Sequence, residues 1–215
     1  MTSRARASAL LLVLALSGCA VVSKVETGET LVRDRLSVQV ASPWNRFERG
    51  QADNTVTWTV EGLYVDALQF YVAIRDGELI APTPSGRKDV QPLTFKASMR
   101  PADVVALYQS LLTRDGSSFT LDRIEATEFV ASPGFRFEYS LVRKVDEVRL
   151  RGVAYGAVRN GELFLINYSA PRLAFFPKHV AQVEAIARSA IRVAPSPTPP
   201  SGREGPTPSE STPSA

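Results

Sequence analysis

The side chains that most often carry out catalysis are scarce in this chain of 215 residues, which has one histidine and one cysteine. The histidine, His179, lies on the apolar side of a predicted helix, within its first turn, and this position favours a structural role over that of a general base. The sequence has no nucleophile elbow, phosphate-binding glycine loop, HExxH pair or dinucleotide fingerprint. One Cys and one His also leave no Cys/His zinc cluster. We therefore expect no catalytic residues, no metal and no cofactor.

The amino terminus has the parts of an export signal. Arg4 and Arg6 give it a positive start, and the apolar run 9–16 follows. That run is far shorter than the ~20 apolar residues that a membrane-spanning helix needs. A charged start, a short apolar run and small residues after it are typical of a signal peptide.

The residues that end this signal, Leu16-Ser17-Gly18-Cys19, resemble the lipobox of bacterial lipoproteins. The resemblance implies that residues 1–18 are a lipoprotein signal peptide, that cleavage occurs before Cys19, and that Cys19 carries the lipid. Each buried CH₂ of an acyl chain contributes about 0.8 kcal/mol, so several chains on one residue anchor a protein firmly in a membrane. Ala20, rather than Asp, after the cysteine implies the outer membrane, with the protein facing the periplasm.

The formal charge of +3 overstates the basicity of the mature chain. Arg4 and Arg6 lie in the signal peptide, which has no acidic residue, so their removal takes +3 to +1. A nearly neutral protein has no electrostatic attraction for nucleic acid. The single cysteine also excludes a disulfide within the chain. Nothing in the sequence specifies an oligomeric state.

Composition divides the mature chain into three parts. Residues 19–30 are interpreted as a tether, and residues 31–193 as a single α+β domain without an internal linker. Residues 194–215 contain seven of the fifteen prolines together with Ser, Thr and Gly, and no bulky apolar residue. Such a segment has nothing to offset the entropy lost on ordering, so we expect a disordered tail.

Hydrophobic periodicity predicts an α+β fold, in which two helices pack on a mostly antiparallel sheet. Apolar residues share one face of a helix over about 101–115 and again over about 177–192, each with a proline near its start. Asn160-Gly161 is a strong two-residue hairpin turn that sets Arg159 opposite Glu162. The predicted strands are 36–40, 56–60, 63–74, 119–130, 134–142, 147–158 and 162–169.

The length of the loop between the strands 134–142 and 147–158 determines which residues of these two strands pair. A two-residue loop at Lys144-Val145 places Glu138 opposite Arg151. Shifting the pairing by one residue would separate this charge pair and mismatch the apolar side chains, so we prefer the register that keeps them together.

In this register one sheet face combines charged side chains with an apolar area. The side chains that share it are Arg136, Glu138, Ser140, Arg149, Arg151, Val153, Tyr155, Phe164, Ile166 and Tyr168. A helix over the apolar half would leave an arginine-lined rim beside aromatics, which suits an anionic or amphipathic ligand or a partner protein. The candidate binding residues are Arg136, Arg149, Arg151 and Tyr168. A simpler interpretation is an exposed face with internal salt bridges.

From about Met99 onward the chain resembles a group of uncharacterised proteobacterial periplasmic lipoproteins. The resembling stretches are 99–105, 134–139 and 156–166, followed by the Ala-rich last helix. The order helix, hairpin, hairpin, helix also resembles the PsbP-like α/β/α sandwich. Both resemblances imply a small binding or assembly module, and neither brings known active-site residues.

Three functions follow from these observations. The leading hypothesis is a non-enzymatic envelope lipoprotein that binds a partner protein or scaffolds an assembly. The second is a carrier or sensor of a small amphipathic or anionic ligand, and the third is a hydrolase acting on envelope polymers. A cavity of several hundred cubic ångströms would favour the carrier, and a filled core with an exposed apolar patch would favour the scaffold. Converging acids in a cleft would favour the hydrolase.

Overall fold

The computed structural model describes residues 22–47, 53–84 and 90–194. The predicted signal peptide, Cys19 and the tail from residue 195 onward lie outside these residues. Within them, neither helix is long and apolar enough to cross a membrane. The strands are β1 (Val22–Val25), β2 (Gly28–Val32), β3 (Leu36–Val40), β4 (Trp44–Phe47), β5 (Thr55–Thr59), β6 (Ala67–Arg75), β7 (Ser118–Phe129), β8 (Ser132–Val142), β9 (Arg149–Arg159), β10 (Glu162–Pro171) and β11 (Ile191–Arg192), and the helices are α1 (Pro101–Leu112) and α2 (Phe175–Ser189).

Eight strands form one sheet in the order β1-β4-β5-β6-β10-β9-β8-β7, and their neighbouring pairs are antiparallel. β11, β3 and β2 form a smaller sheet. Side chains alternate between the two faces of a strand, and both faces of the large sheet are apolar. One face packs against α1, and the other packs against α2 and the small sheet. The predicted α+β class, a mostly antiparallel sheet with two helices, is confirmed.

The hairpin turn at Asn160-Gly161 is confirmed. It joins β9 to β10 and pairs Arg159 with Glu162. Both turn residues have positive φ, +53° at Asn160 and +77° at Gly161. Two such residues make the turn whose twist matches that of the flanking strands.

The register between β8 and β9 differs by two residues from the predicted one. Glu138 pairs with Val153 instead of Arg151, because the connecting loop comprises residues 143–148 and not two residues. A shift of two residues keeps every side chain on its predicted face. Glu138 and Arg151 still meet diagonally, with Arg151 Nη2 donating to Glu138 Oε2 at 2.6 Å.

Two glycines of β9 explain this register. Gly152 pairs with Tyr139, and Gly156 pairs with Phe135. A Cβ added to Gly152 would lie 2.1 Å from the Tyr139 ring, and one added to Gly156 would lie 2.5 Å from the Phe135 ring. The two rings therefore occupy space that only glycine leaves open. The predicted register was wrong because it placed Leu150 where Tyr139 needs a glycine.

The helix ends differ slightly from the predicted ones. α1 begins at Pro101, as predicted, but ends at Leu112 instead of residue 115. α2 begins at Phe175, so Pro177 lies in its first turn, where the backbone N–H groups have no partner within the helix. α2 ends at Ser189 instead of residue 192, because Ile191–Arg192 leave the helix to pair with β3.

The predicted tether, 19–30, is folded over most of its length. Residues 22–25 form β1, and residues 28–32 form β2. Val25 and Val32 are buried, and their apolar contacts together with the strand pairing offset the entropy lost on ordering. Residues 19–21 lie outside the described ranges.

We expect Gly152→Ala to lower the free energy of unfolding by about 1–3 kcal/mol, because the added methyl group meets the Tyr139 ring in a packed core. Urea unfolding monitored by tryptophan fluorescence measures this cost. In a Tyr139→Leu background the ring is absent, so the same substitution should cost less. Equal costs in the two backgrounds would contradict the contact.

Candidate functional site

Arg136, the first candidate binding residue, lies at the centre of an ion-pair cluster between the sheet and α2. Its Nη1 is 2.6 Å from Glu138 and 3.1 Å from Glu125. Its Nη2 is 3.3 Å from Glu184 of α2, and its Nε donates to the hydroxyl of Tyr155 at 3.0 Å. Three carboxylates thus surround this guanidinium, which binds α2 to the sheet and is not directed toward an external ligand.

Arg151 extends the same cluster. Its Nη2 is 2.6 Å from Glu138, and its guanidinium carbon lies 5.4 Å from the centre of the Phe176 ring. Burial alone would raise the pKa of Glu138, but Arg151 and Arg136 hold that pKa below its ordinary value. Arg149, at the first position of β9, is exposed and takes part in none of these ion pairs. The alternative interpretation, a face with internal salt bridges, therefore describes Arg136 and Arg151.

Tyr168 lies in the core and not on a binding surface. It has no exposed area, and its ring stacks on Phe176 of α2 with a centroid distance of 5.8 Å. Its hydroxyl donates to the backbone oxygen of Phe175 at 3.4 Å. Tyr168 was predicted as a binding residue because the sequence does not specify how far α2 extends over β10.

His179 has the structural role that the sequence favours. It is 8% exposed, and its Nε2 lies 2.9 Å from Glu61 Oε1. Lys178 contacts the same carboxylate, and Lys178 followed by His179 holds the pKa of Glu61 below its ordinary value. These contacts bind the start of α2 to the loop after β5. Within the described ranges, no group of three or more His, Cys, Asp or Glu side chains could hold a metal ion.

On the opposite face of the sheet, α1 leaves part of the sheet uncovered, and an open groove of about 440 Å³ lies there. The 12 residues of α1 span about 18 Å, whereas the 11 residues of β8 span about 36 Å, so one helix does not cover the strands from end to end. The polar and charged side chains that line the groove are Thr55, Thr57, Gln69, Arg114, Asp115, Ser117, Arg143 and Ser169, and the large aliphatic ones are Ile80, Leu111, Leu112, Leu141 and Leu150.

A buried hydrogen-bond network connects the floor of the groove to α1. The hydroxyl of Tyr108 donates to Gln69 Oε1 at 3.0 Å, and Asn167 Nδ2 donates to the same oxygen at 3.3 Å. The hydroxyl of Tyr139 donates to Asn167 Oδ1 at 3.0 Å. Burial raises the pKa of Tyr139 to about 12 and raises that of Tyr108 well above its ordinary value. Both hydroxyls therefore stay protonated at neutral pH and act as donors.

Two arginines lie at the rim of the groove. Arg114, just after α1, donates from Nη1 to the backbone oxygen of Pro82 at 3.1 Å and from Nη2 to that of Gln91 at 3.4 Å. Arg143 donates from Nε to Asp146 at 2.9 Å and from Nη1 to the backbone oxygen of Tyr64 at 2.9 Å. Arg143 thus has a carboxylate partner, whereas the hydrogen bonds of Arg114 to described residues go to neutral carbonyl groups.

Three loops lie together at the end of the large sheet where β5 and β8 finish. They are residues 60–66, 143–148 and 172–174, and we call this end of the sheet the loop end. Arg143 joins the first two loops through its bond to Tyr64. Three apolar side chains of these loops are largely exposed to solvent, Tyr64 at 88%, Val145 at 82% and Leu173 at 85%, and Leu63 is exposed at 43%.

The groove is not among the sites predicted from the sequence. The predicted strand 56–60 has Val56 and Trp58 in the core, but the sequence indicated no role for Thr55 and Thr57. Thr55 and Thr57 are also buried, on the face of β5 toward α1. The signal was present in the composition of β5, because uncharged residues at every position indicate a strand covered on both faces.

No family model and no curated protein sequence matches the chain. The fold is similar to the solution structure of cyanobacterial PsbP (CyanoP) from Synechocystis sp. PCC 6803, with a TM-score of 0.52 and 14% identity, covering 86% of this chain and 99% of that chain. LpqN, involved in cell envelope biogenesis of Mycobacterium tuberculosis, matches with a TM-score of 0.35 and 8% identity over 80% of this chain and 92% of that chain. The first likeness shows a PsbP-like fold and nothing about function.

We expect Arg136→Met to lower the free energy of unfolding by about 2–4 kcal/mol, because it leaves Glu125, Glu138 and Glu184 without their shared cation in a half-buried site. Arg149→Met is the matched control and should change the free energy of unfolding by less than about 0.5 kcal/mol. Chemical unfolding of the two variants at neutral pH measures both effects. Similar small changes in both would show that the cluster does not hold α2 on the sheet.

Proposed function

We propose that this protein is a non-enzymatic binding module of the bacterial envelope, which docks a partner protein through the loop end. A lipid on Cys19 anchors it in the outer membrane, facing the periplasm. The observation that carries the proposal is the exposure of Tyr64, Val145 and Leu173 on the three loops of the loop end.

The direction of the first strand supports this arrangement. Val25 pairs with Trp44, the first residue of β4. Trp44 lies close to the loop end, because the next residue of β4 pairs with Thr59 at the end of β5. Tracing the chain back from Val25 to Val22 therefore leads away from the loop end. Cys19 precedes Val22 by three residues. A lipid on Cys19 would hold the opposite end toward the membrane and leave the loop end accessible in the periplasm.

The exposed side chains suit a protein partner. Contiguous exposed apolar area on a soluble domain marks interaction surfaces, and tyrosine is among the residues that contribute most to binding. The bonds from Arg143 to Tyr64 and to Asp146 hold two of the loops in one arrangement. A surface that is ordered before binding loses less conformational entropy when the partner docks.

Site-specific photo-crosslinking in cells tests the docking surface. A photoreactive amino acid at position 64 or 173 of the tagged full-length protein should capture one reproducible envelope protein. Ser98 is the matched control, because it is exposed on the turn before α1, at the other end of the sheet. Capture should be absent at position 98 and lost in a Cys19→Ser variant that cannot be anchored.

The double variant Tyr64→Asp with Leu173→Asp should abolish co-purification of the captured protein without changing the unfolding midpoint, since both side chains are more than four-fifths exposed. Equal capture from positions 64, 98 and 173 would contradict a specific docking surface at the loop end. Unchanged co-purification with the double variant would contradict it as well.

A further inference from the structure

The groove beside α1 contains hydrogen-bond donors that the protein itself does not use. The hydroxyl oxygen of Thr55 is buried without a hydrogen-bond partner, although the residue is only 6% exposed. The Nε of Arg114 is likewise buried without a partner. Buried polar groups without partners destabilise the unbound protein, and they are expected where a ligand supplies the missing bonds.

Two acceptor atoms of residues that line the groove already receive hydrogen bonds. Gln69 Oε1 receives bonds from both Tyr108 and Asn167, so its amide NH₂ group stays unused by that network. Asp115 Oδ1 accepts the backbone N–H of Ser117 at 2.9 Å. The Thr55 hydroxyl, Arg114 and the Gln69 amide group can therefore donate to a ligand group that accepts hydrogen bonds.

The positive charge of Arg114 at the rim favours a ligand that is negatively charged. Arg114 donates only to the carbonyl groups of Pro82 and Gln91 among the described residues, and the longer of these bonds is 3.4 Å. Its guanidinium therefore lacks the carboxylate partner that Arg143 has in Asp146. A guanidinium binds a carboxylate with two parallel hydrogen bonds, which are stronger than bonds to neutral groups.

Large aliphatic side chains form the apolar part of the groove. Leu111 and Leu112 come from α1, Leu141 and Leu150 from the sheet, and Ile80 from the segment after β6. A volume of about 440 Å³ lies within the usual range of small-molecule sites. An apolar wall beside a cluster of donors suits a molecule that has one acceptor group and a hydrocarbon body.

We propose that this groove binds a small amphipathic carboxylate. Arg114 pairs with the carboxylate, Thr55 and Gln69 donate to its polar end, and the hydrocarbon body lies along the leucines of the groove. Arg143 belongs both to the rim of the groove and to the loop end, but Tyr64, Val145 and Leu173 do not line the groove, and the proposal does not depend on the docking function.

Binding of decanoate to the full-length chain carrying Cys19→Ser tests the proposal by calorimetry, below the concentration at which decanoate forms micelles. We expect saturable binding with a stoichiometry of one, and no comparable binding of decyltrimethylammonium, which has the same hydrocarbon body and the opposite charge. NMR shifts of the methyl groups of Leu111, Leu112, Leu141 and Leu150 locate the bound chain.

Two variants separate a binding role from a structural one. Arg114→Met should weaken decanoate binding more than tenfold, whereas Arg188→Met, on the exposed side of α2, should leave it unchanged. Thr55→Val should weaken binding at least threefold without lowering the unfolding midpoint, because the hydroxyl that it removes has no partner in the unbound protein.

Several outcomes would overturn the proposal. They are the absence of saturable decanoate binding, equal binding of the cationic probe, and unchanged affinity in both Arg114→Met and Thr55→Val. Methyl shifts confined to the loop end would place the ligand outside the groove and overturn it too. A loss of photo-crosslinking at positions 64 and 173 would leave these results unaffected, since the two experiments measure different surfaces.

Discussion

Both faces of the eight-stranded sheet are apolar, and the rest of the structure follows from the need to cover them. Strands such as β10 carry large apolar side chains at successive positions, so neither face tolerates contact with water. α2 and the small sheet cover one face, and α1 with its flanking segments covers the other. The helices lie on opposite sides because one helix buries only one face of a sheet, and this requirement gives the PsbP-like arrangement.

α2 and α1 pack on the sheet in different ways. As a result, the ion-pair cluster lies on one face and the candidate ligand site lies on the other. α2 packs with the help of ion pairs, in which Arg136 joins carboxylates of the sheet to Glu184 of the helix. α1 is shorter than the strands beneath it and packs through aromatic rings, with Tyr108 in edge contact with Phe137 and Tyr139. The groove lies beyond the end of α1. Arg136 and Arg151 are therefore paired with carboxylates on the α2 face, whereas on the α1 face the Thr55 hydroxyl and Arg114 Nε, both from residues that line the groove, have no partner.

The register between β8 and β9 is set by aromatic rings that pack over glycines. Tyr139 over Gly152 and Phe135 over Gly156 leave no space for a larger residue, and they set a register that neither charge matching nor loop length predicted. The predicted register kept every side chain on its correct face, because its error was an even number of residues. The set of side chains on the arginine face was therefore predicted, whereas their contacts were not.

The sequence predicts both helices, seven of the described strands and the side chains that share a face, because periodicity and turn residues act locally, but it does not predict β1, β2, β4 or β11. It identified the Asn160-Gly161 turn, the apolar stripes of both helices and the structural position of His179. Long-range packing brings Arg136 and Arg151 to carboxylates, buries Tyr168 under α2, and leaves α1 shorter than the strands beneath it. These outcomes depend on the lengths of helices and strands that are far apart in sequence and on how closely they pack. No local sequence pattern encodes these quantities.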